Sequence, residues 1–365
     1  MKYNWQCCEW PRFVYEQAGI DDASRTFDVQ LECVRAVLKS FDTATEEGKY
    51  LEAMVAEAVS TSAIEGERLN PQDVMSSMKN RLGQNARPIP VRDYRAAGIA
   101  AMLLNIRDRG ADPLSEAMLF QWHRLLFENY PAREMPEISG GYRTDRIFVK
   151  SADIDAEEVR FEAPPPSDVP HEMKRFIDWF NATGQARMPA AVRAAIAHLY
   201  FESIHPFCDG NGRLGRALVS KVVAQEIGMF VMIPFSVGLL EHRSLYYDAL
   251  HKASFSLDVT RWIQDFTGLL IDSIRNYGAE LQFQIRVMCL LAGVRQPLND
   301  RQGTVFQRMA REGARGFAGG MSAGKFQKIA HTSKATATRD LAAMVELGIL
   351  QRSGRGTAVR YQIAM

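Results

Sequence analysis

One twelve-residue run, His205 to Arg216, constrains the fold of this chain more than any other feature. It reads HPFCDGNGRLGR, and its residues from Asp209 to Leu214 are nearly all small, polar or charged. Apolar residues recur at helical spacing before the run, at 190–201, and after it, at 218–223. The pattern therefore predicts two helices joined by a tight, glycine-rich loop.

This loop has the composition of an anion-binding site that also carries a base. Its three glycines leave amide N–H groups uncovered, and the next helix adds the positive end of its dipole. Arg213 and Arg216 are three residues apart and share one helix face. Asp209 beside phosphates would act through a divalent cation, and His205 is a base that titrates near neutral pH. A polyphosphate site is predicted; a merely polar connection between two helices is the alternative.

The run resembles the signature of the Fic (filamentation induced by cAMP) family, HPFxDGNGRxxR, at every defined position. The resemblance implies a mainly α fold, a Fic-type helical bundle with a β-hairpin flap that holds a target segment. It also implies an enzyme, a nucleotidyltransferase that usually moves AMP from ATP to a protein hydroxyl on Ser, Thr or Tyr. Self-modification would accompany this chemistry.

The family's roles transfer to this sequence residue by residue. His205 would take the proton from the target hydroxyl, and Asp209 would hold Mg²⁺ between the α- and β-phosphates of ATP. The nucleotide contacts implied by the resemblance are Asp209, Gly210, Asn211, Gly212, Arg213, Arg216 and Tyr247. For Tyr247, packing in the core is the alternative to lining the base pocket.

A second motif runs from Thr61 to Gly66. Thr61 and Glu65 are four residues apart at the end of a predicted helix, so their side chains share one face. Gly66 suits the left-handed position that ends a helix, and Glu65 there requires a cation because the helix dipole disfavours it. The stretch resembles the family's inhibitory motif, [S/T]xxxE[G/N], which implies that Glu65 pairs with Arg216 and occupies the space of the γ-phosphate. A surface glutamate at a helix end is the alternative.

We predict three domains: an N-terminal helical module with the inhibitory helix (1–90), a Fic catalytic domain (91–292) and a winged-helix domain (293–365). In the first two, helices are predicted at 28–41, 45–63, 94–107, 114–128, 170–181, 189–204, 240–255 and 258–274, the last followed by a connecting helix to about 291. Residues 76–87 read as a polar linker, and the strands 147–149 and 159–161 predict a hairpin around the turn 151–158.

A few polar side chains in predicted helices are expected to be structural. His123 lies between apolar neighbours, and His198 and Glu202 form an i, i+4 pair. The HExxH pattern of zinc proteases does not occur. Phe207 is expected to plug the core beneath the loop.

The C-terminal residues predict a winged helix that binds DNA or protein. Helices are predicted at 300–311, 322–330 and 334–347, and strands at 348–352 and 359–362. The third helix begins with small, polar and basic residues, as a recognition helix requires, and Arg352, Arg355 and Arg360 make the wing basic. The acidic residues Glu312, Asp340 and Glu346 dilute this charge. Both partners therefore stay open, as does a homodimer on paired half-sites.

Composition indicates an ordinary soluble protein. Of 365 residues, 47% are apolar, and the net charge of +1 does not indicate a nucleic-acid coat or a membrane-surface protein. Five scattered cysteines without paired spacing favour a reducing compartment. Neither a signal peptide nor a long apolar run is present, so we expect a cytoplasmic protein without a membrane partner.

Three alternatives to AMP transfer stay open. Glu65 would align a water in an enzyme that removes AMP from a modified target. A degenerate domain would instead sense nucleotide in a DNA-binding regulator, although every signature position is intact. In the third alternative, the enzyme transfers UMP, phosphate or phosphocholine instead of AMP.

Overall fold

The computed structural model describes residues 2–136, 138–150, 159–227, 232–294 and 297–364. Within these ranges the protein is mainly α-helical, as predicted. The chain forms two compact units, Met1–Arg275 and Asn276–Met365. None of the helices in the described ranges has the length and apolar character that a membrane span requires.

The first unit is built mainly from helices. They are α1 (Ile20–Leu38), α2 (Thr43–Ile64), α3 (Pro71–Arg81), α4 (Tyr94–Arg109), α5 (Glu116–Phe127), α6 (Val169–Gln185), α7 (Ala190–Ile204), α8 (Asn211–Ile227), α9 (Phe235–Glu241) and α10 (Arg243–Ala253). Helix α11 (Thr260–Gly293) begins here, and the division between the units falls within it.

A short hairpin is the β-structure of this unit. Strands β1 (Phe148–Lys150) and β2 (Val159–Glu162) pair antiparallel, with Val149 opposite Phe161. The predicted hairpin is therefore confirmed. The turn predicted between its strands, residues 151–158, lies outside the described residues.

Helices α7 and α8 form the centre of the unit. Every residue of α7 except Glu202 is buried, and so is every residue of α8 from Asn211 to Ala224 except Gly212. The almost uniformly apolar sequence of α7 is typical of a helix that is buried on all sides. The signature loop joins these two helices, so the core fixes it at both ends.

The prediction of a polar linker at 76–87 is wrong for its first half, where α3 continues to Arg81. The helix begins at the N-cap Asn70 with a proline in its first turn, which are ordinary start signals. Val74 and Met78, four residues apart, are fully buried. Two apolar residues on one narrow face anchor a helix whose overall composition is polar.

Several other predicted helices have different bounds in the structure, among them the helix predicted at 28–41, which already begins at Ile20. The segment predicted as one helix at 240–255 is two helices, α9 and α10, separated at His242, where ψ is 33°. Helix α9 begins directly after Pro234, so this proline marks the start of a helix rather than a break. The helix predicted at 258–274 and its connecting helix are one continuous helix, α11.

The second unit contains the predicted three helices and two strands. They are α12 (Asp300–Ala310), α13 (Ala323–Ile329), α14 (Lys334–Glu346), β3 (Leu350–Ser353) and the antiparallel β4 (Arg360–Ile363). Phe306, Phe326, Leu341 and Met344 belong to its buried core. Asp340 is 5% exposed and accepts from Arg301 Nε at 2.9 Å, so the expectation that it dilutes the surface charge is wrong.

Candidate active site

The signature loop is closed on itself by the side chain of Asn211. The Asn211 Oδ1 accepts from the Phe207 N–H at 2.9 Å, and its Nδ2 donates to the Phe207 carbonyl at 2.8 Å. Phe207 is fully buried, as predicted, and its ring stacks on His123 with centroids 4.4 Å apart. The Asn211 side chain therefore shapes the loop, which the sequence analysis did not foresee.

Two glycines of the loop are required by its geometry. Gly210 has a φ of +80°, where a side chain would be strained, and an added Cβ would press against Leu126 and Phe127. At Gly212 an added Cβ would collide with Glu65 Oε1. The loop backbone and the Glu65 carboxylate are therefore in direct contact.

A cavity of about 630 Å³ opens over this loop, which is the size of a small-molecule site. The residues singled out from the sequence that line it are Glu65, His205, Asp209, Gly210, Asn211, Gly212, Arg216 and Tyr247. Arg213, also expected to contact the nucleotide, is not among the described residues that line the cavity. Tyr247 is half-buried at its wall beneath Arg243, whereas its neighbour Tyr246 is the buried core residue.

Arg216 is held by the end of helix α2. Its Nη2 lies 2.6 Å from Glu65 Oε1, so the pairing expected from the resemblance is present. Its Nε donates to Thr61 Oγ1 at 2.7 Å, and Nη2 also donates to the Thr61 carbonyl at 3.0 Å. Burial alone would lower the pKa of Arg216, but the Glu65 carboxylate raises it above its ordinary value. The guanidinium stays charged.

Arg213 is held on the other side of the loop. Its Nη1 donates to Glu67 Oε2 at 2.8 Å and lies 3.4 Å from the Tyr130 hydroxyl, while Nη2 is 3.4 Å from Asp209 Oδ1. The ring of Phe127 lies under the guanidinium. Glu67 is a contact that the sequence analysis missed, although it lies only two residues beyond Glu65.

His205 ends helix α7 in the left-handed region, at φ 49°. Its Nδ1 lies 3.6 Å from Glu202 Oε2, one turn earlier in the helix. Burial alone would raise the pKa of Glu202, but the contact with His205 and the charge of nearby groups, Arg216 among them, lower it. Glu202, expected to be structural, therefore presents an ionised carboxylate to the Nδ1 side of His205.

Arg143 supports the backbone of His205, and no sequence signal singled it out. Its side chain is buried, and it donates to the carbonyls of His205 at 2.7 Å, Asp145 at 2.8 Å and Pro164 at 2.6 Å. Its own N–H donates to the Pro206 carbonyl at 3.0 Å. Burial lowers the pKa of Arg143 to about 10. One cation thus ties the start of the signature loop to the segments flanking the hairpin.

His123 supports the same loop from below. It is fully buried, as predicted, with its Nε2 3.1 Å from the Asp209 carbonyl and its Nδ1 accepting from the Gly140 N–H at 2.9 Å. Burial lowers its pKa to about 4. A neutral ring with the proton on Nε2 satisfies both contacts.

Asp209 presents an exposed carboxylate to a cation at this cavity. The Asp209 side chain is 63% exposed, and no group of three or more His, Cys, Asp or Glu residues suited to a metal occurs among the described residues. Mg²⁺ takes few protein ligands and is commonly completed by phosphates and water. Asp209 therefore fits a cation that arrives with a polyphosphate, and not a cation held by the protein alone.

Comparisons with known proteins find relatives for the part of the chain that carries this site. The sequence model of the Fic/DOC family matches residues 113–223, and that of a domain of unknown function (DUF4172) matches residues 3–84. The chain is 30% identical over 143 residues to protein adenylyltransferase fic-1 of Caenorhabditis elegans and 28% identical over 144 residues to a probable protein adenylyltransferase of Aquifex aeolicus. These matches cover 39% and 38% of this chain, and the chain spans only 25% and 37% of those relatives.

Solved structures share the fold. A Fic family protein from Desulfovibrio desulfuricans G20 superposes with a TM-score of 0.52 at 19% identity, over 93% of this chain and 96% of that one. Fic-1 of C. elegans gives a TM-score of 0.51 at 22% identity, over 73% of this chain and 74% of that one. Residues 113–223 thus match the Fic/DOC family model and include the intact signature, and the solved structures show the same fold.

Proposed function

We propose that this protein is a protein adenylyltransferase, which transfers AMP from ATP to a Ser, Thr or Tyr hydroxyl of a protein. One observation carries the proposal: a nucleotide-sized cavity brings His205, the glycine-rich loop and the buried cation Arg216 together. The names of the relatives support the same reaction. Residues 1–90, 91–292 and 293–365 are proposed as its three domains; the family-model matches at 3–84 and 113–223 lie within the first two, whereas the two compact units divide at Arg275.

In this reaction the triphosphate lies over the loop amides at the start of helix α8. His205 takes the proton of the target hydroxyl, whose oxygen forms a bond to the α-phosphorus while the bond to pyrophosphate breaks. Glu202 holds the Nδ1 side of His205 and stabilises the ring when it is protonated. Arg216, which lines the cavity, neutralises charge on the departing pyrophosphate; Arg213, which is not among the described lining residues but lies 3.4 Å from Asp209, adds positive charge next to the loop. Mg²⁺, held through Asp209, would add a further positive charge between the phosphates.

Glu65 acts as an inhibitor in this proposal. Its carboxylate occupies the cavity above Gly212 and pairs with Arg216, so a triphosphate cannot use the same cation in the same place. The Glu65 carboxylate and the γ-phosphate would also repel each other if both were present. ATP would therefore bind unproductively until Glu65 moves away.

The test is label transfer from ATP labelled at the α-phosphate, with the chain itself as first acceptor. We expect weak labelling of the wild type, strong labelling of Glu65→Gly, and none of Glu65→Gly/His205→Ala. Glu52→Gly, a change on the exposed face of the same helix, is the matched control. Equal labelling of the wild type and Glu65→Gly would show that Glu65 is not inhibitory. Labelling that persists after His205→Ala would show that His205 is not the base.

For the second unit we propose a winged helix that binds DNA. Lys334 and Arg339 of α14 and Arg352 and Arg355 of the hairpin are exposed, whereas the acidic Asp340 is internally paired. Binding to duplex DNA should weaken steeply with salt, and Lys334→Ala/Arg339→Ala should weaken it further. The absence of any salt-sensitive binding would favour a protein partner. A homodimer is also proposed, and light scattering tests it.

We propose a cytoplasmic location because the cysteines are unpaired, as is usual in a reducing compartment.

A further inference from the structure

The turn after helix α2 carries two carboxylates, and each faces a different arginine of the signature. Glu65 pairs with Arg216 at 2.6 Å, and Glu67 pairs with Arg213 at 2.8 Å. Gly66, at φ +85°, lies between them and reverses the backbone, so the two side chains leave the turn differently. Equal chemistry and adjacent positions would suggest equal roles.

Their locations differ, however. Glu65 lines the cavity and lies over the loop backbone at Gly212. Among the described residues that line the cavity, neither Glu67 nor its partner Arg213 occurs. Removing Glu67 would therefore open no space for a ligand, and any effect of Glu67 on the reaction must pass through Arg213.

The contacts of Arg213 show which side of its guanidinium is fixed. Nη1 is held by Glu67 and lies near the Tyr130 hydroxyl, which itself donates to Glu67 Oε1 at 3.2 Å. Nη2 has only the longer contact of 3.4 Å to Asp209, a residue that lines the cavity. Nε has no hydrogen-bond partner among the residues the structure describes. One nitrogen is thus anchored away from the cavity, and the other two keep donor capacity.

We propose that Glu67 is a positioning residue for Arg213, one that supports the reaction instead of inhibiting it. This rests on the proposed function, in which Arg213 neutralises phosphate charge. Arg213 is 3% exposed and requires an anion; with Glu67 gone, Asp209 is the nearest remaining carboxylate. Arg213 would then close on Asp209, and this carboxylate, which lines the cavity, would turn from the phosphates towards the arginine.

The test compares Glu67→Ala and Glu67→Gln in the Glu65→Gly background. We expect Glu67→Ala to raise the KM for ATP and weaken binding of non-transferable α,β-methylene-ATP, each by roughly tenfold, with a smaller change in kcat. Glu67→Gln should recover part of the loss, because its amide oxygen still accepts from Nη1. Glu52→Ala, which removes an exposed carboxylate that pairs with Lys49 on α2, should leave both quantities unchanged.

Either of two results would overturn the proposal. Higher labelling in Glu65→Gly/Glu67→Ala than in Glu65→Gly would make Glu67 a second inhibitory residue, and unchanged analogue binding would show that Arg213 is placed without it. If Glu67→Ala does not fold, judged from its thermal unfolding, Glu67→Gln and Tyr130→Phe decide by the same binding measurement. Analogue binding needs no transfer, so a Glu65→Gly protein that labels nothing would contradict the proposed function while the role of Glu67 is still decided.

Discussion

The two sides of the signature loop hold the same chemical group in opposite ways. Arg216 and Arg213 lie about one turn apart in α8, with side chains only 2% and 3% exposed, and each is paired with a carboxylate from the turn after α2. The partner of Arg216 lies inside the cavity, whereas the partner of Arg213 lies outside it. A buried guanidinium needs an anion in either case. An anion inside the cavity competes with a ligand for the arginine, whereas an anion outside the cavity does not.

The largest expected effect comes from removing the cations themselves once Glu65 is absent. In the Glu65→Gly background, Arg216→Ala and Arg213→Ala should each lower kcat/KM for label transfer by roughly a hundredfold or more, because each neutralises developing phosphate charge. Steady-state kinetics with the labelled ATP measures both.

The comparison predicts a further difference between these two variants. With Glu65 retained, Arg216→Ala should change the already low activity little, since Glu65 holds that cation in the wild type. Arg213→Ala should lower even this basal activity. Equal basal losses in the two variants would contradict the division between an occupied and an available arginine.

The next effect concerns His123, which supports the signature loop and is buried against the Asp209 carbonyl. Its pKa falls from an ordinary value of 6.5 to about 4 in the folded protein, because burial disfavours the charged ring. Between these values the unfolded chain binds a proton that the native protein does not. The contribution to stability is therefore complete above pH 6.5 and is lost as the pH falls towards 4, by about 3 kcal/mol.

Urea unfolding of the wild type and His123→Gln across this pH range measures the contribution. Glutamine cannot take up the proton, so its stability should vary less with pH in this window than that of the wild type. The exposed His171→Gln is the control for the loss of a histidine. Parallel pH profiles for the wild type and His123→Gln would show that another group governs acid unfolding.

The sequence predicted the pairing of Glu65 with Arg216 better than the contacts that support the loop from elsewhere in the fold. The Glu65 and Arg216 pair follows from two short motifs, and the buried helices that carry the loop follow from periodicity. Arg143, His123 and Glu67 act through contacts to residues 62, 86 and 146 positions away in the chain. Periodicity and capping describe neighbours along the chain, so a single sequence does not reveal which distant carbonyl or cation a polar side chain meets. Supporting residues of this kind emerge only from the fold.

The smallest predicted effect tests how firmly the end of α2 holds Arg216. Thr61→Val removes the hydroxyl that accepts from Arg216 Nε at 2.7 Å while keeping the shape of the side chain, and Thr61 is 2% exposed. The lost acceptor should lower the free energy of unfolding by about 1–2 kcal/mol. It should also raise labelling of the otherwise intact protein several-fold, because Arg216 then keeps fewer contacts with the end of α2. Thr43→Val, at the exposed start of the same helix, should change neither quantity. A Thr61→Val protein that is less stable but no more active would mean that the Thr61 hydroxyl is not needed to keep Arg216 from the phosphates, and that its contacts with Glu65 and the Thr61 carbonyl are sufficient.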